Sequence, residues 1–281
     1  MFLAFAWQGA HAQWQPRLEG YVFYDNNIGR AQQSADQAHD VVAGGNAFLT
    51  RSIPLGMRDD ASVGVQAGGQ RYVDFDGASF ASLGATAAWR RKLGLGRGAS
   101  SISAQASLAR EAARVAVRDA SRADASLSWG RRLSEEAVAS LGLAYDRREQ
   151  LEDLPVVPGI SGRPFSLQGR SAFARGTYAF GERSALVGEL RVRHGDVEST
   201  SRRDHVIFEY SSAIAADPAI GPDFFAYRLS GADTRSLTGA LATQLDAHAA
   251  LQVALTVEHT TAADEISYHR TMLGVYAVYR P

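Results

Sequence analysis

The sequence contains no cysteine and a single lysine, Lys92, and none of its apolar runs approaches the roughly 18 residues of a membrane-spanning helix. The absence of cysteine excludes a disulfide framework and a thiolate metal site. Acidic and basic residues nearly balance, with a formal net charge of -1. This balance argues against a general nucleic-acid binder, so we expect no nucleic-acid partner.

The N-terminus predicts export from the cytoplasm. Residues 1–12, MFLAFAWQGAHA, form a short apolar run that ends in Ala10-His11-Ala12, a small-x-small cleavage pattern. No Lys or Arg precedes the run, as in a signal peptide truncated at its start. The alternative interpretation is a disordered segment or a buried N-terminal strand. On the first interpretation, residues 13–281 form one domain.

Apolar residues recur with a period of two along most of the chain, which predicts β-strands. Between Ala249 and Val257, for example, Leu251 and Val253 fall on one face and Gln252 on the other. Strands in soluble proteins usually have about five or six residues, whereas runs of about ten suit a tilted strand that crosses a bilayer. Such long runs predict about twelve strands, over 15–27, 38–52, 60–73, 78–92, 99–111, 118–132, 137–149, 165–180, 184–196, 224–244, 248–260 and 265–280.

The connections between these runs alternate between short and long. Links such as LSEE and GERS are short, whereas LEDLPVVPGISGRP and residues 197–223 are long. Outer-membrane barrels have short periplasmic turns and longer external loops. The sequence therefore predicts an all-β fold, a transmembrane antiparallel up-and-down β-barrel of about 12 strands. The best helical stripe, residues 108–120, lies where a loop is expected.

Two similar segments, TAAWRRKLG (86–94) and SLSWGRRLS (126–134), place a Trp before paired arginines at a predicted strand end. Aromatic rings prefer the headgroup level of a membrane, and arginine side chains beyond them reach water. We therefore predict that nine aromatic residues mark the membrane interfaces: Tyr24, Phe48, Tyr72, Trp89, Trp129, Tyr145, Tyr178, Phe180 and Tyr279.

The opening segment LEGYVFYDNNIGRAQQSADQAHDVVAGGNAFL resembles the start of β-barrel porins of Gram-negative outer membranes. The matching residues are Tyr24, Asp25, Asn26, Asn27, Ile28, Arg30 and Asp40, and the resemblance extends to Trp89. It implies location in the bacterial outer membrane, contact with outer-membrane lipid, and insertion by the barrel-assembly machinery.

If the apolar positions of each strand face lipid, the positions that alternate with them line the interior. The predicted pore-lining residues are Glu19, Tyr21, Gln66, Gln70, Glu189, Arg191, Arg193, Gln252, Glu258 and Arg270. A barrel of about twelve strands lies between small barrels filled by side chains and the open porins. Arginines in a lumen favour anions. Interleaved acids can equally pair with these arginines and leave no preference.

Two functions remain open at this point, and a third is weaker. The first is a porin-like channel for passive diffusion of small polar or anionic solutes, with no cofactor. The second is a non-conducting structural barrel whose external loops, above all 197–223, bind a partner or a surface polymer. A lipid hydrolase is least favoured, because no serine and histidine share a face with a third orienting group.

Other polar clusters have structural interpretations that are at least as good as the chemical ones. His259 with Thr261, and His269 with Thr271, lie two residues apart on one strand face, and His194 precedes Asp196 at a strand end. Asp25, Asn26 and Asn27 offer oxygen ligands for calcium but are also typical turn formers. We predict no metal site and no catalytic residue.

Overall fold

A computed structural model describes residues 14–96, 98–263 and 266–281. The predicted signal peptide, residues 1–12, lies outside the described residues. Within the described ranges, no helix is both long and apolar enough to cross a membrane.

The described chain is built from long antiparallel strands and one short helix. Their bounds are β1 Trp14–Asp25, β2 Asp40–Pro54, β3 Asp59–Tyr72, β4 Phe80–Lys92, β5 Ser101–Ala113, β6 Ala120–Arg132, β7 Ala137–Gln150, β8 Leu167–Phe180, β9 Ser184–Ser201, α1 His205–Glu209, β10 Ser211–Ala216, β11 Phe225–Gln244, β12 Ala249–Thr261 and β13 Ser267–Tyr279.

All strands except β10 join into a closed ring. Neighbours in sequence pair with each other, β9 pairs with β11, and β13 returns to pair with β1. The result is a closed twelve-stranded antiparallel barrel with one extra strand, which confirms the predicted fold class. Both described termini lie at the end of the barrel that carries the short turns, and we call the opposite end the long-loop end.

Apolar side chains of the strands lie on the outside of the ring. On β12, Leu251, Val253 and Leu255 are exposed, whereas Gln252 and Ala254 between them are buried. Full burial of a Leu or Val side chain stabilises a protein by roughly 1.5–3 kcal/mol relative to exposure in water. Because these apolar side chains point outward, the barrel gains the free energy of their burial only when an apolar medium surrounds it.

Two segments differ from the sequence-based expectation. The helical candidate 108–120 is instead the end of β5, a single 3-10 turn over Ala116–Arg118, and the start of β6. Pairing of β5 with both β4 and β6 satisfies its backbone hydrogen bonds as a strand. The predicted loop 197–223 contains the end of β9, α1 and β10.

The segment 197–229, here called the mouth insert, leaves the barrel wall at a bulge. The register of β9 and β11 shifts between Leu229 and Ala232, and Gly231 has a φ of +72°, a conformation that favours glycine. Beyond the bulge β9 and β11 stay paired, while β10 takes the free edge of β11 that β12 no longer covers. The insert is therefore a small sheet at the long-loop end.

Candidate functional site

The interior of the barrel holds a polar cavity of about 1440 Å³. It begins among Trp14, Arg17 and Arg280 at the short-turn end and reaches Arg30 and, in the mouth insert, Glu198. Every second side chain of a strand points into the ring, and of the predicted pore-lining residues Gln66, Arg191, Arg193 and Glu258 border this cavity.

The ten predicted pore-lining residues all lie on the inner face of their strands, buried or half-buried. Tyr21 and Gln70, for example, face each other across β2, with Tyr21 Oη 3.5 Å from Gln70 Oε1. Gln252 is buried between the exposed Leu251 and Val253 of β12. Their role in conduction stays a prediction.

The wall formed by β8 and β9 carries more basic than acidic groups. Glu189 accepts hydrogen bonds from Arg175 at 2.6 Å and from Arg191 at 3.1 Å, so one carboxylate serves two guanidinium groups. Arg191 also donates to the Ser171 hydroxyl at 3.0 Å. Higher on the same wall, Arg193 pairs with Asp146 at 2.7 Å. This part of the lumen therefore has an excess positive charge.

Two of the predicted interface aromatics face the lumen instead. The guanidinium of Arg17 lies 4.2 Å from the ring centroid of Phe48, and the Tyr72 hydroxyl accepts a hydrogen bond from Gln70 Nε2 at 3.0 Å. Phe48 and Tyr72 are predicted above as membrane-interface residues, and their inward position corrects that prediction. Phe48 lies between Ala47 and Leu49, so the local alternation does not define its face. Phe48 lies opposite the inward-facing Gln66 of β3, and Tyr72 falls at the same alternating positions of β3 as Gln66 and Gln70.

The remaining seven predicted aromatics lie on the outer face. They are Tyr24, Trp89, Trp129, Tyr145, Tyr178, Phe180 and Tyr279. Trp14, which the sequence analysis did not select, is also half exposed at the short-turn end. Their position at membrane interfaces stays a prediction.

A buried ion pair anchors the mouth insert to the loop between β5 and β6. Arg118 donates to Asp217 through Nε at 3.0 Å and Nη2 at 2.6 Å, and the Asp217 side chain is fully buried. Burial alone lowers the pKa of Arg118, but the carboxylates of Asp217 and Glu198 more than offset it, so the pKa lies above its ordinary value. The neighbouring carboxylates therefore stabilise the charged form of Arg118 despite its burial.

A second cation, the half-buried Arg30, ties the insert to the loop between β1 and β2. Arg30 lies 3.2 Å from Glu198 of the insert and 3.7 Å from Glu258 of β12. Burial lowers the pKa of Arg30, and the two glutamates raise it above the ordinary value. Next to this pair, the Thr200 amide donates to the Gly29 carbonyl at 2.6 Å.

Apolar contacts seat the insert against the other loops of this end. Ile220 packs against Ile28 and Ala38, and Ala215 packs with Val117 and Phe165. At the loop between β3 and β4 the approach is so close that a Cβ on Gly77 would lie 2.8 Å from the Ala219 Cα. Ile266, beside the last loop, belongs to the same apolar cluster as Val197 and Ile207 of the insert. The insert thus contacts all the other loops and fills much of the mouth.

Sequence reasoning missed the residues that seat the insert. Arg118 and Asp217 are 99 residues apart, and neither belongs to a motif. Residues 225–229 fall within the predicted strand 224–244, whereas the segment of β10 has no alternation that could have indicated a strand.

The residues of the porin-like opening segment have structural partners. Asp25 pairs with Arg270 of β13, with Nε 2.9 Å from Oδ2. The side-chain amide of Asn27 bonds the backbone of Ala31 in both directions at 2.9 Å. Asp40 accepts the amide hydrogens of residues 73–75 at 3.0–3.2 Å. These oxygens hold the loop, as expected of turn formers.

The histidines singled out in the sequence, all within the described ranges, pair with an aspartate or with each other. His194 Nδ1 lies 3.0 Å from Asp233 rather than pairing with Asp196, and the rings of His259 and His269 stack at 4.4 Å on the outer face. In the ranges that the structure describes, no three metal-ligating side chains form a group that could hold an ion.

Comparisons with known proteins bear on the fold. No protein-family model matches the sequence, and no curated protein matches it. Among solved structures, the chain is similar to an outer-membrane channel from Pseudomonas putida F1, with a TM-score of 0.58 and 12% identity over 94% of this chain and 95% of that one. It is also similar, at a TM-score of 0.48 and 10% identity, to the outer-membrane channel DcaP of Acinetobacter baumannii, over 96% of each chain. At this level of sequence identity the similarity concerns the fold and not the function.

Proposed function

We propose that this protein is a channel in the outer membrane of a Gram-negative bacterium that passes small polar solutes by passive diffusion. The observation that carries the proposal is the polar cavity of about 1440 Å³, which runs from the short-turn end to the mouth insert. A space with polar walls inside the ring is what passive diffusion of polar solutes requires.

The outer surface supports the membrane location. Apolar side chains cover the strands on the outside, and each strand of the ring is 12 residues or longer. About 9–11 tilted residues suffice to cross a bilayer. The mouth insert is the natural constriction of the channel, because it narrows the lumen at one end.

Reconstitution into planar lipid bilayers tests the proposal directly. We expect the purified protein to produce discrete conductance steps, small in comparison with those of wide porins because the insert narrows the mouth. A protein that inserts, runs as a folded barrel on unheated gels and yet gives no steps would contradict the channel.

Replacement of Arg191 with alanine should weaken a preference for anions. The change removes one of the two cations that share Glu189, so the β8–β9 wall becomes neutral. One unit charge acting in water over about 8 Å is worth roughly 0.5 kcal/mol, which corresponds to about a twofold change in the anion-to-cation permeability ratio. The reversal potential across a salt gradient measures this ratio.

Arg170→Ala is the matched control, because Arg170 lies on the outer face of β8. It should leave the reversal potential unchanged. An equal shift in both variants would mean that the charge of the whole protein, rather than the lumen lining, sets the preference.

The second candidate function is a non-conducting barrel. Ser199, Thr200 and Asp217 are fully buried, so the insert is packed like a domain core rather than lying loosely in the mouth. In that case the insert is a permanent plug and the external loops carry the function.

A further inference from the structure

The outer face of the barrel carries a groove along β8. Ala172 and Ala174 form its floor, and Leu141, Leu190 and Val192 of the flanking strands form its sides. Its volume is about 620 Å³ and its lining is almost entirely apolar. The groove lies on the face that the proposed function places in lipid.

The groove continues toward the long-loop end into a second cavity of about 900 Å³. Both cavities share Leu127, Leu143, Ala172 and Val192 in their linings, so they form one depression. At its head the lining changes from apolar to basic and aromatic, with Arg170, Arg235 and Tyr145.

The two arginines at the head differ from those inside the barrel. Arg118, Arg175 and Arg193 of the interior each have a carboxylate partner. Within the part of the chain that the structure describes, Arg170 and Arg235 have no hydrogen-bond or ion-pair partner. The nearby Asp233 is engaged by His194 at 3.0 Å. With Arg193 paired to Asp146, Arg170 and Arg235 together face the single carboxylate of Asp233, so the head of the groove holds a net positive charge.

We infer that the groove binds one phosphorylated lipid with net negative charge. An acyl chain would lie along Ala172 and Ala174, and the phosphate would bind Arg170 and Arg235. The inference rests on the proposed membrane location. Charge complementarity selects this occupant, since guanidinium groups recognise phosphate, and Tyr145 lies beside them as aromatic residues do at headgroup level.

Other occupants match the surface less well. A free phosphate ion makes no use of the apolar groove. In a zwitterionic lipid such as phosphatidylcholine, the choline group offsets the phosphate charge that the two arginines attract. A lipid whose phosphate charge is not offset by a cationic headgroup matches both the apolar groove and its basic head.

Native mass spectrometry of the intact barrel in detergent tests the inference, with dioleoylphosphatidylglycerol and dioleoylphosphatidylcholine as probes at equal concentration. We expect tighter binding of phosphatidylglycerol. The double variant Arg170→Gln/Arg235→Gln should bind it roughly 30-fold more weakly, because each basic residue near an anionic lipid surface contributes about a factor of five. Arg110→Gln is the control, since Arg110 lies on the outer face of β5, unpaired and outside the groove, and should bind like the wild type.

A second pair of variants tests the apolar part of the groove. Ala172→Phe fills the groove and should weaken phosphatidylglycerol binding, whereas Ala85→Phe, on the outer face of β4, should not. Migration on unheated gels verifies that each variant forms a barrel. Equal binding of the two lipids, unchanged binding by the double variant, or displacement of the lipid by millimolar inorganic phosphate would overturn the inference.

Conductance separates this inference from the channel proposal. Both arginines lie outside the lumen, so the double variant should conduct as the wild type does. A wild-type barrel that conducts but does not bind phosphatidylglycerol selectively rejects only the lipid site. Selective lipid binding by a silent barrel rejects only the channel.

Discussion

Replacement of residues 202–224 with an Asn-Gly turn should raise the single-channel conductance several-fold. Ser201 of β9 and Phe225 of β11 lie opposite each other in the ladder, so a two-residue hairpin turn can join them without changing the register. The change removes α1 and β10 from the mouth and keeps every strand of the ring. Arg118, which loses Asp217, becomes accessible to water, and its charge is solvated there instead of left buried.

The control for this deletion is a variant in which a disulfide holds the insert in place. A Cβ built on Gly29 lies 3.4 Å from the Thr200 Cβ, close to the roughly 3.5–4.5 Å of a disulfide, and the chain has no other cysteine. The oxidised Gly29→Cys/Thr200→Cys protein should keep wild-type conductance. A shortened barrel that conducts no better than the wild type would mean that the insert does not limit the flow. Silence in both the wild type and the shortened barrel would reject the channel, whereas silence in the wild type alone would favour the plugged barrel.

Asp217→Ala should unseat the mouth insert. Arg118 is only 15% exposed, and without Asp217 its guanidinium stays buried with Glu198 as its nearest carboxylate, at 3.8 Å. Removal of one partner from a buried ion pair costs about 3–5 kcal/mol, because the other charge is left uncompensated. We expect much faster trypsin cleavage after Arg203, which lies exposed in the insert, as measured by mass spectrometry of the fragments.

Asp76→Ala is the matched control for this substitution. Asp76 pairs with Arg114 in a neighbouring loop, but Arg114 is 59% and Asp76 33% exposed, and a pair open to solvent contributes only about 0–1 kcal/mol. The double variant Arg118→Ala/Asp217→Ala removes both charges and should recover part of the protection against trypsin. If Asp217→Ala is cut no faster than Asp76→Ala, the ion pair does not anchor the insert.

The amino-acid sequence alone determined the barrel. A period of two over ten or more residues is a local property, and it defines strands with one apolar and one polar face. The alternation of short and long links then orders these strands into an antiparallel ring. The same parity placed residues such as Arg191 and Gln252 on the inner face without knowledge of their neighbours in space.

Only the tertiary structure decided how the mouth is filled. β10 has no alternation, because Ala213 to Ala216 are all apolar, and it forms a strand only because β11 offers a free edge. The anchor between Arg118 and Asp217 joins residues that meet solely through the closure of the ring. Phe48 has apolar neighbours on both sides, so its inward position depends on the register with β3. Local periodicity defines the faces of a strand, but contacts between distant segments depend on the closed topology and on burial of charge.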